Sequence, residues 1–208
     1  MNKNLGIQIG SFNPIHNGHL MVTNYVLENT DVEEIIIVPS PHSFGKSGLV
    51  SFYLRCDMID EALREYELEG RVDWNTIENV EGRSGYTSDT LKYFKDEYDG
   101  GGNKVSLIIG ADLFIDLYKF HDIEWILANC EVIVCGRPDN KVAEGYVNLA
   151  GKYKTFSALR INVLENFPQI GISSSFIRDQ IKEGKDIWSY VPKSVCKLID
   201  KHALYKKE

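Results

Sequence analysis

The sequence predicts an α/β protein built on a doubly wound parallel sheet, with a small helical part near its C-terminal end. Three observations point there. Apolar runs with β character alternate with helical patterns through the first 140 or so residues, the signature of strand–helix–strand units with right-handed crossovers. The run Ile35-Ile36-Ile37-Val38 shows no polar alternation, as expected of a strand covered on both faces. The stretch LGIQIGSFNPIHNGHL (residues 5–20) reads as a buried strand, a glycine-containing turn and a helix start in immediate succession.

Taken in order, the first strand covers residues 5–9 and breaks at Gly10-Ser11. A helix over about 17–29 follows, its apolar positions at Leu20, Met21, Tyr25 and Val26. The second strand spans 32–39, and a turn-rich loop (PSPHSFGKSG, 39–48) holds His42 and Lys46 just past its carboxyl end, where open α/β sheets place ligands. Leu54, Met58, Ile59, Ala62, Leu63 and Tyr66 share one face of a helix over 51–67, with Ser51 as N-cap. A short third strand over 71–77 and a helix over 86–98 come next. Asp99-Gly100-Gly101-Gly102-Asn103 lacks the rest of a phosphate fingerprint and reads as a turn. The fourth strand, 104–110, ends in Gly110-Ala111-Asp112. Two short helices (113–118 and 123–129), a fifth strand (131–136), a polar helix within 141–153 and an outer strand (160–164) complete the core at about residue 165. From about 171 the chain reads as helical, one helix opening at ISSSFIR (172–178) and another beginning near Pro192, a favourable first-turn residue. No boundary divides the 208 residues, which read as one unit. If the first and fourth strands are neighbours, Gly10-Ser11 and Gly110-Asp112 face one crevice.

Composition narrows the chemistry. With 43% hydrophobic and 25% charged residues the chain has the profile of an ordinary soluble protein. A net charge of −7 argues against nucleic acid as a partner, so any phosphate must be met by local clusters of Arg, Lys, His and backbone N–H. No apolar signal region or membrane-length run is present; the expectation is a cytoplasmic enzyme with no membrane partner. The four cysteines form no C-x-x-C pair and read as packed, reduced thiols rather than a metal site or disulfides.

Two motifs carry the chemistry. His16 and His19, three apart at a helix start, read as lying on one helix face, so both can meet the same anion, where backbone N–H groups and the helix dipole favour negative charge. In ISSSFIR the serines can cap a helix, and Arg178 reads as a first-turn cation set against the dipole, a misfit that a bound polyphosphate would explain. The bland alternative pairs Arg178 with Asp179 or Glu183. Trp125 reads as packing, Asp89, Asp116 and Asp122 as solvated, and His121 and His202 have no partner that the sequence names.

The first motif, GSFNPIHNGH, resembles the G-(S/T)-F-(D/N)-P-x-H-x-G-H signature of the nucleotidylyltransferase superfamily, which implies a Rossmann-like sheet. With ISSSFIR added, the chain resembles the bacterial nicotinate-nucleotide adenylyltransferases over almost its whole length. That resemblance implies transfer of AMP from ATP to nicotinate mononucleotide, giving deamido-NAD and pyrophosphate, with magnesium on the triphosphate and no dedicated metal site. It implies ATP contacts from Gly10, Ser11, Phe12, His16, His19, Gly110, Asp112, Arg137, Ile172, Ser173, Ser174 and Arg178. It implies pyridine-nucleotide contacts from Ser11, Phe12, Lys46, Tyr86, Thr87 and Phe120. His16, His19, Lys46 and Arg178 would carry the catalytic charge stabilisation. GYTSDTL supplies Tyr86 and Thr87, IIGAD supplies Asp112 as ribose acceptor (and as helix N-cap), VCGRP supplies Arg137, and Phe120 stands where the family usually has a stacking Trp. Gly85 replaces a family serine, Asn13 replaces the commoner Asp, and PHSFGK replaces P-P-H-K, leaving His42 as a competitor to Lys46. Nicotinamide mononucleotide and pantetheine phosphate stay open as acceptors, a cytidylyltransferase and a non-catalytic NAD-binding module as rivals. Homo-oligomerisation stays open as well.

Overall fold

The computed structural model describes residues 3–41, 48–136, 140–152, 160–164, 166–168 and 171–206. Its six strands, β1 (Asn4–Gly10), β2 (Glu34–Pro39), β3 (Val72–Trp74), β4 (Lys104–Gly110), β5 (Glu131–Cys135) and β6 (Ile161–Leu164), form one sheet in the order β3-β2-β1-β4-β5-β6. Every neighbouring pair is parallel. The order reverses between β1 and β4, the switch point that the alternating pattern implies.

Among the described residues eight α-helices cover the two faces: α1 (Asn17–Asn29), α2 (Phe52–Glu65), α3 (Thr87–Asp96), α4 (Ala111–Phe114), α5 (Ile123–Asn129), α6 (Asn140–Lys152), α7 (Ser174–Lys182) and α8 (Lys193–Lys201). Each continuous apolar strand divides its residues by the period of two. Ile35 and Ile37 enter a core with Val26, Met58, Ile177 and Val195, from α1, α2, α7 and α8. Ile36 and Val38 enter the opposite core with Leu91, Phe114, Ile126 and Leu149, from α3 to α6. The C-terminal helices therefore share the first core rather than hanging from it. Glu65 of α2 also accepts the Lys193 and Ser194 amides (3.0 and 2.7 Å), capping the start of α8.

Several boundaries differ from the sequence expectation. Residues 113–118 do not form a helix. α4 stops after Phe114, and a separate 3-10 turn holds Leu117–Lys119. Phe114 and Leu117 are both fully buried, and a spacing of three serves a 3-10 turn as well as an α-helix. Another 3-10 turn, Ile77–Asn79, takes the end of the expected third strand. Tyr86 precedes α3 as its N-cap instead of beginning it. Ser51 occupies the N-cap of α2 but makes no side-chain cap bond, and Pro192 sits at the N-cap of α8, one place before the first turn.

Candidate active site

The carboxyl ends of β1 and β4 open into a crevice of about 650 Å³. Gly10, Ser11 and Phe12 at the end of β1, Gly110 and Asp112 at the end of β4, and His16 and His19 at the start of α1 all line it. Ile172, Ser173, Ser174 and Arg178 close it from the C-terminal side. The structure thus brings together eleven of the residues singled out in the sequence, from segments some 160 positions apart.

His16 is not on the face of α1 but just outside it, at the N-cap in extended geometry (φ −149°, ψ 167°). Its N–H donates to His19 Nδ1 (3.2 Å), and its carbonyl accepts the His19 N–H (2.8 Å). The two rings stack at 3.7 Å between centroids and 23° between planes. Because His19 Nδ1 is an acceptor, the proton of the neutral ring belongs on Nε2. Burial pushes His16, only 5% exposed, down to a pKa of about 4. Burial and the neighbouring His16 hold His19 well below its ordinary value. At neutral pH the pair is uncharged, so it presents ring N–H donors rather than cations.

The turn before the histidines is fastened from behind. Phe12 takes φ 42°, in the left-handed region that costs a non-glycine residue about 1 kcal/mol or more. Its ring is 2% exposed and sits edge-on beneath His19 at 4.9 Å. Asn13, 2% exposed, donates from Nδ2 to Gly48 O (3.0 Å) and accepts at Oδ1 from the Val50 N–H (3.3 Å) and the Tyr205 hydroxyl (2.8 Å). An aspartate could not make the first of these bonds, which gives the Asn at this position a local reason. Arg55, 1% exposed on α2, donates to the carbonyls of Ser11 (2.5 Å) and Val50 (3.3 Å).

Ser173 N-caps α7 by accepting the Phe176 amide (3.1 Å), and Ser174 donates to the Pro14 carbonyl (2.9 Å). Arg178 falls in the second turn of α7, not the first, so the expected conflict with the dipole is weaker than the sequence implied. It pairs with neither Asp179 nor Glu183, which bind Lys182 and Lys185. Its guanidinium instead donates to the Asn13 carbonyl (2.9 Å) and the Ser175 hydroxyl (3.1 Å). Asp112 does not cap α4, whose N-cap is Gly110. It sits in the first turn, with its side chain 81% exposed and ion-paired with Lys141 of α6.

Of the pyridine-side residues Ser11 and Phe12 line the crevice, whereas Tyr86, Thr87 and Phe120 lie apart from its lining. Tyr86 stacks on His121 at 4.2 Å and 22°, bringing the start of α3 beside Phe120, with Thr87 as the first residue of α3. Lys46, His42 and Arg137 lie outside the described residues. Sequence reasoning missed His121, Arg55, Tyr205 and Lys141. The site-side partners of the first three (Tyr86, Ser11 and Asn13, respectively) are distant in sequence. Lys141 is the second residue of a polar helix whose pattern shows no preference for the site. Among the described residues no group of three or more His, Cys, Asp or Glu could hold a metal ion, and no helix is long and apolar enough to cross a membrane.

Residues 7–180 match the cytidylyltransferase-like family. A protein of Christiangramia forsetii, named as a probable nicotinate-nucleotide adenylyltransferase, is 35% identical over 209 residues, covering 99% of this chain and 100% of that protein. One of the same name from Flavobacterium johnsoniae is 34% identical, covering 98% and 99%. In fold, the chain is similar to Plasmodium falciparum nicotinic acid mononucleotide adenylyltransferase complexed with NaAD, with TM-score 0.78, 22% identity and 98% of each chain covered.

Proposed function

The chain belongs to the cytidylyltransferase-like family and to the nicotinate-nucleotide adenylyltransferases within it, and from that premise we propose how its residues carry the reaction. The protein transfers AMP from ATP to nicotinate mononucleotide, releasing pyrophosphate and giving deamido-NAD. A phosphate oxygen of the mononucleotide attacks the α-phosphorus of ATP, and the bond to the pyrophosphate oxygen breaks. Both reacting groups come from the substrates, so the protein positions them and stabilises charge.

The observation that supports this reading most is the uncharged, stacked histidine pair that lines the crevice. A neutral imidazole donates its one ring N–H to a phosphate oxygen while carrying no net charge. The Nε2–H of His19, set by its Nδ1 bond to the His16 amide, is the donor for the α- and β-phosphates, with His16 beside it. Arg178 faces the leaving pyrophosphate from α7, and Lys46 is assigned there from the loop after β2. Gly110 and Asp112 take the ribose, Ser173, Ser174 and Ile172 the nucleotide from the C-terminal side, and Arg137 the ATP end of the site. Ser11 and Phe12 serve both substrates. Tyr86, Thr87 and Phe120 receive the pyridine nucleotide, Phe120 by stacking. The described lining offers one carboxylate, Asp112, already paired with Lys141, which suits ATP entering as its magnesium complex with the ion held by phosphate and water.

Pyrophosphate release from magnesium and ATP, with nicotinate and nicotinamide mononucleotides in parallel, tests the assignment. The expected result is preference for nicotinate. Preference for nicotinamide would keep the chemistry and change the acceptor. Silence with both, beside turnover of pantetheine phosphate, would overturn the assignment of the pyridine-side residues.

A further inference from the structure

The turn between β1 and α1 is held through its carbonyls, by Ser40 and Arg55 from outside the crevice lining and by Ser174 and Arg178 from within it. The Gly10 carbonyl accepts the Ser40 amide (2.8 Å), the Ser11 carbonyl accepts Arg55, the Asn13 carbonyl accepts Arg178, and the Pro14 carbonyl accepts Ser174. In a trans peptide the carbonyl and the next residue's N–H point in opposite directions. Fastening the Gly10 and Ser11 carbonyls therefore turns the Ser11 and Phe12 N–H groups away from Ser40 and Arg55, and both residues line the crevice. Oriented amides of this kind bind anions.

Two of the fasteners are costly. Arg55 is a buried guanidinium that makes no ion pair with any carboxylate among the described residues, and both of its hydrogen bonds go to backbone carbonyls. Tyr205 reaches Asn13 across 192 positions, itself held at φ 62° after Ala203 at φ 49°. Such strained and desolvated groups persist where the surrounding structure uses them. Asn13 joins three segments: through one side-chain amide it ties the tail, the turn and the Gly48–Val50 end of the loop that carries Lys46.

We propose that Tyr205 and Arg55 are positioning residues, a clasp that acts through Asn13 and Ser11 to hold the Ser11 and Phe12 amides in register with the transferring phosphates. The proposal rests on the adenylyl-transfer reading given above. Neither side chain touches substrate. Each sets where the turn sits, so its loss is felt in the step that needs alignment rather than in ground-state binding.

The test uses the full chain with Tyr205→Phe, which removes one hydroxyl, and Arg55→Lys, which keeps charge but not the guanidinium fork. Steady-state pyrophosphate release should show kcat lower by about tenfold in Tyr205→Phe, with both KM values within about twofold of wild type. Amide order parameters at Ser11 and Phe12 should fall from about 0.85 toward about 0.6, while those of β1 stay put. Should Arg55→Lys fail to fold, Tyr205→Phe carries the test alone. An unchanged kcat, a loss confined to KM, unchanged order parameters, or a deficit that vanishes well below the unfolding transition would each overturn the clasp. Failure of the activity reading shows separately, as a wild-type protein silent with both mononucleotides. The order parameters still judge the clasp in that case.

Discussion

Acidification from pH 7 to pH 4.5 should weaken this fold through His16 in particular. Its folded pKa, about 4, lies below the ordinary 6.5, so the unfolded chain binds the proton first as pH falls. The sign follows. Stability from this group is complete above about pH 6.5 and is lost as pH drops toward 4. At about 1.4 kcal/mol per pH unit the whole window is worth about 3 kcal/mol, of which roughly 2 is gone by pH 4.5. That is a large share of the 5–15 kcal/mol typical of a domain. Urea unfolding of wild type and His16→Gln at both pH values reads this contribution together with the part of the His19 shift that His16 causes. Wild type should lose roughly 2 kcal/mol more than the variant. Equal losses, or a His16 ring resonance that titrates near 6.5, would refute the claim that the pair is neutral when it meets phosphate.

Other expectations concern single side chains. His19→Ala should lower kcat by about 10²–10³ and leave the KM for ATP within about threefold, read by steady-state kinetics; near-wild-type turnover would remove it from the transition state. Phe120→Ala should raise the KM for the pyridine nucleotide roughly three- to tenfold and spare that for ATP; an effect on ATP instead would show that the 120–121 corner serves the other substrate. Asn103→Ala should cost about 1–3 kcal/mol in urea unfolding, because its buried amide donates to the Phe94 and Tyr98 carbonyls (both 2.9 Å) and accepts the Lys3 amide. Gly145→Ala should be destabilising by about 1–3 kcal/mol, its new methyl meeting the buried Phe114 ring directly.

Much of the fold is legible in the sequence because its signals are local. The Ile35–Val38 run announces a strand buried on both faces, and the burial of all four residues matches it. The β1–turn–α1 stretch places the histidines because strand, glycine and helix start are contiguous. What stays hidden depends on distance or on a residue's exact place in a turn. Whether His16 lies inside α1 or at its N-cap is a shift of one residue that periodicity does not resolve. The pattern at Phe114 and Leu117 fits two kinds of turn. Arg55 reads as one more charge on an amphipathic helix, and only the packed structure shows it turned inward against the Ser11 carbonyl. Tyr205 has no local pattern at all. Its meaning lies in Asn13, almost the whole chain away.

The central place of β1 has a consequence for synthesis. Its backbone needs two neighbours, β2 close by and β4 about a hundred residues later, through pairs such as Asn4 with Lys104. At roughly 5–20 residues per second, a ribosome leaves one edge of β1 without its partner for roughly 5–20 seconds. An open, apolar strand edge is an invitation to pair with the wrong chain. The strand that leads into the phosphate-binding turn thus emerges about a hundred residues ahead of β4 and must wait for that stretch before it can be closed.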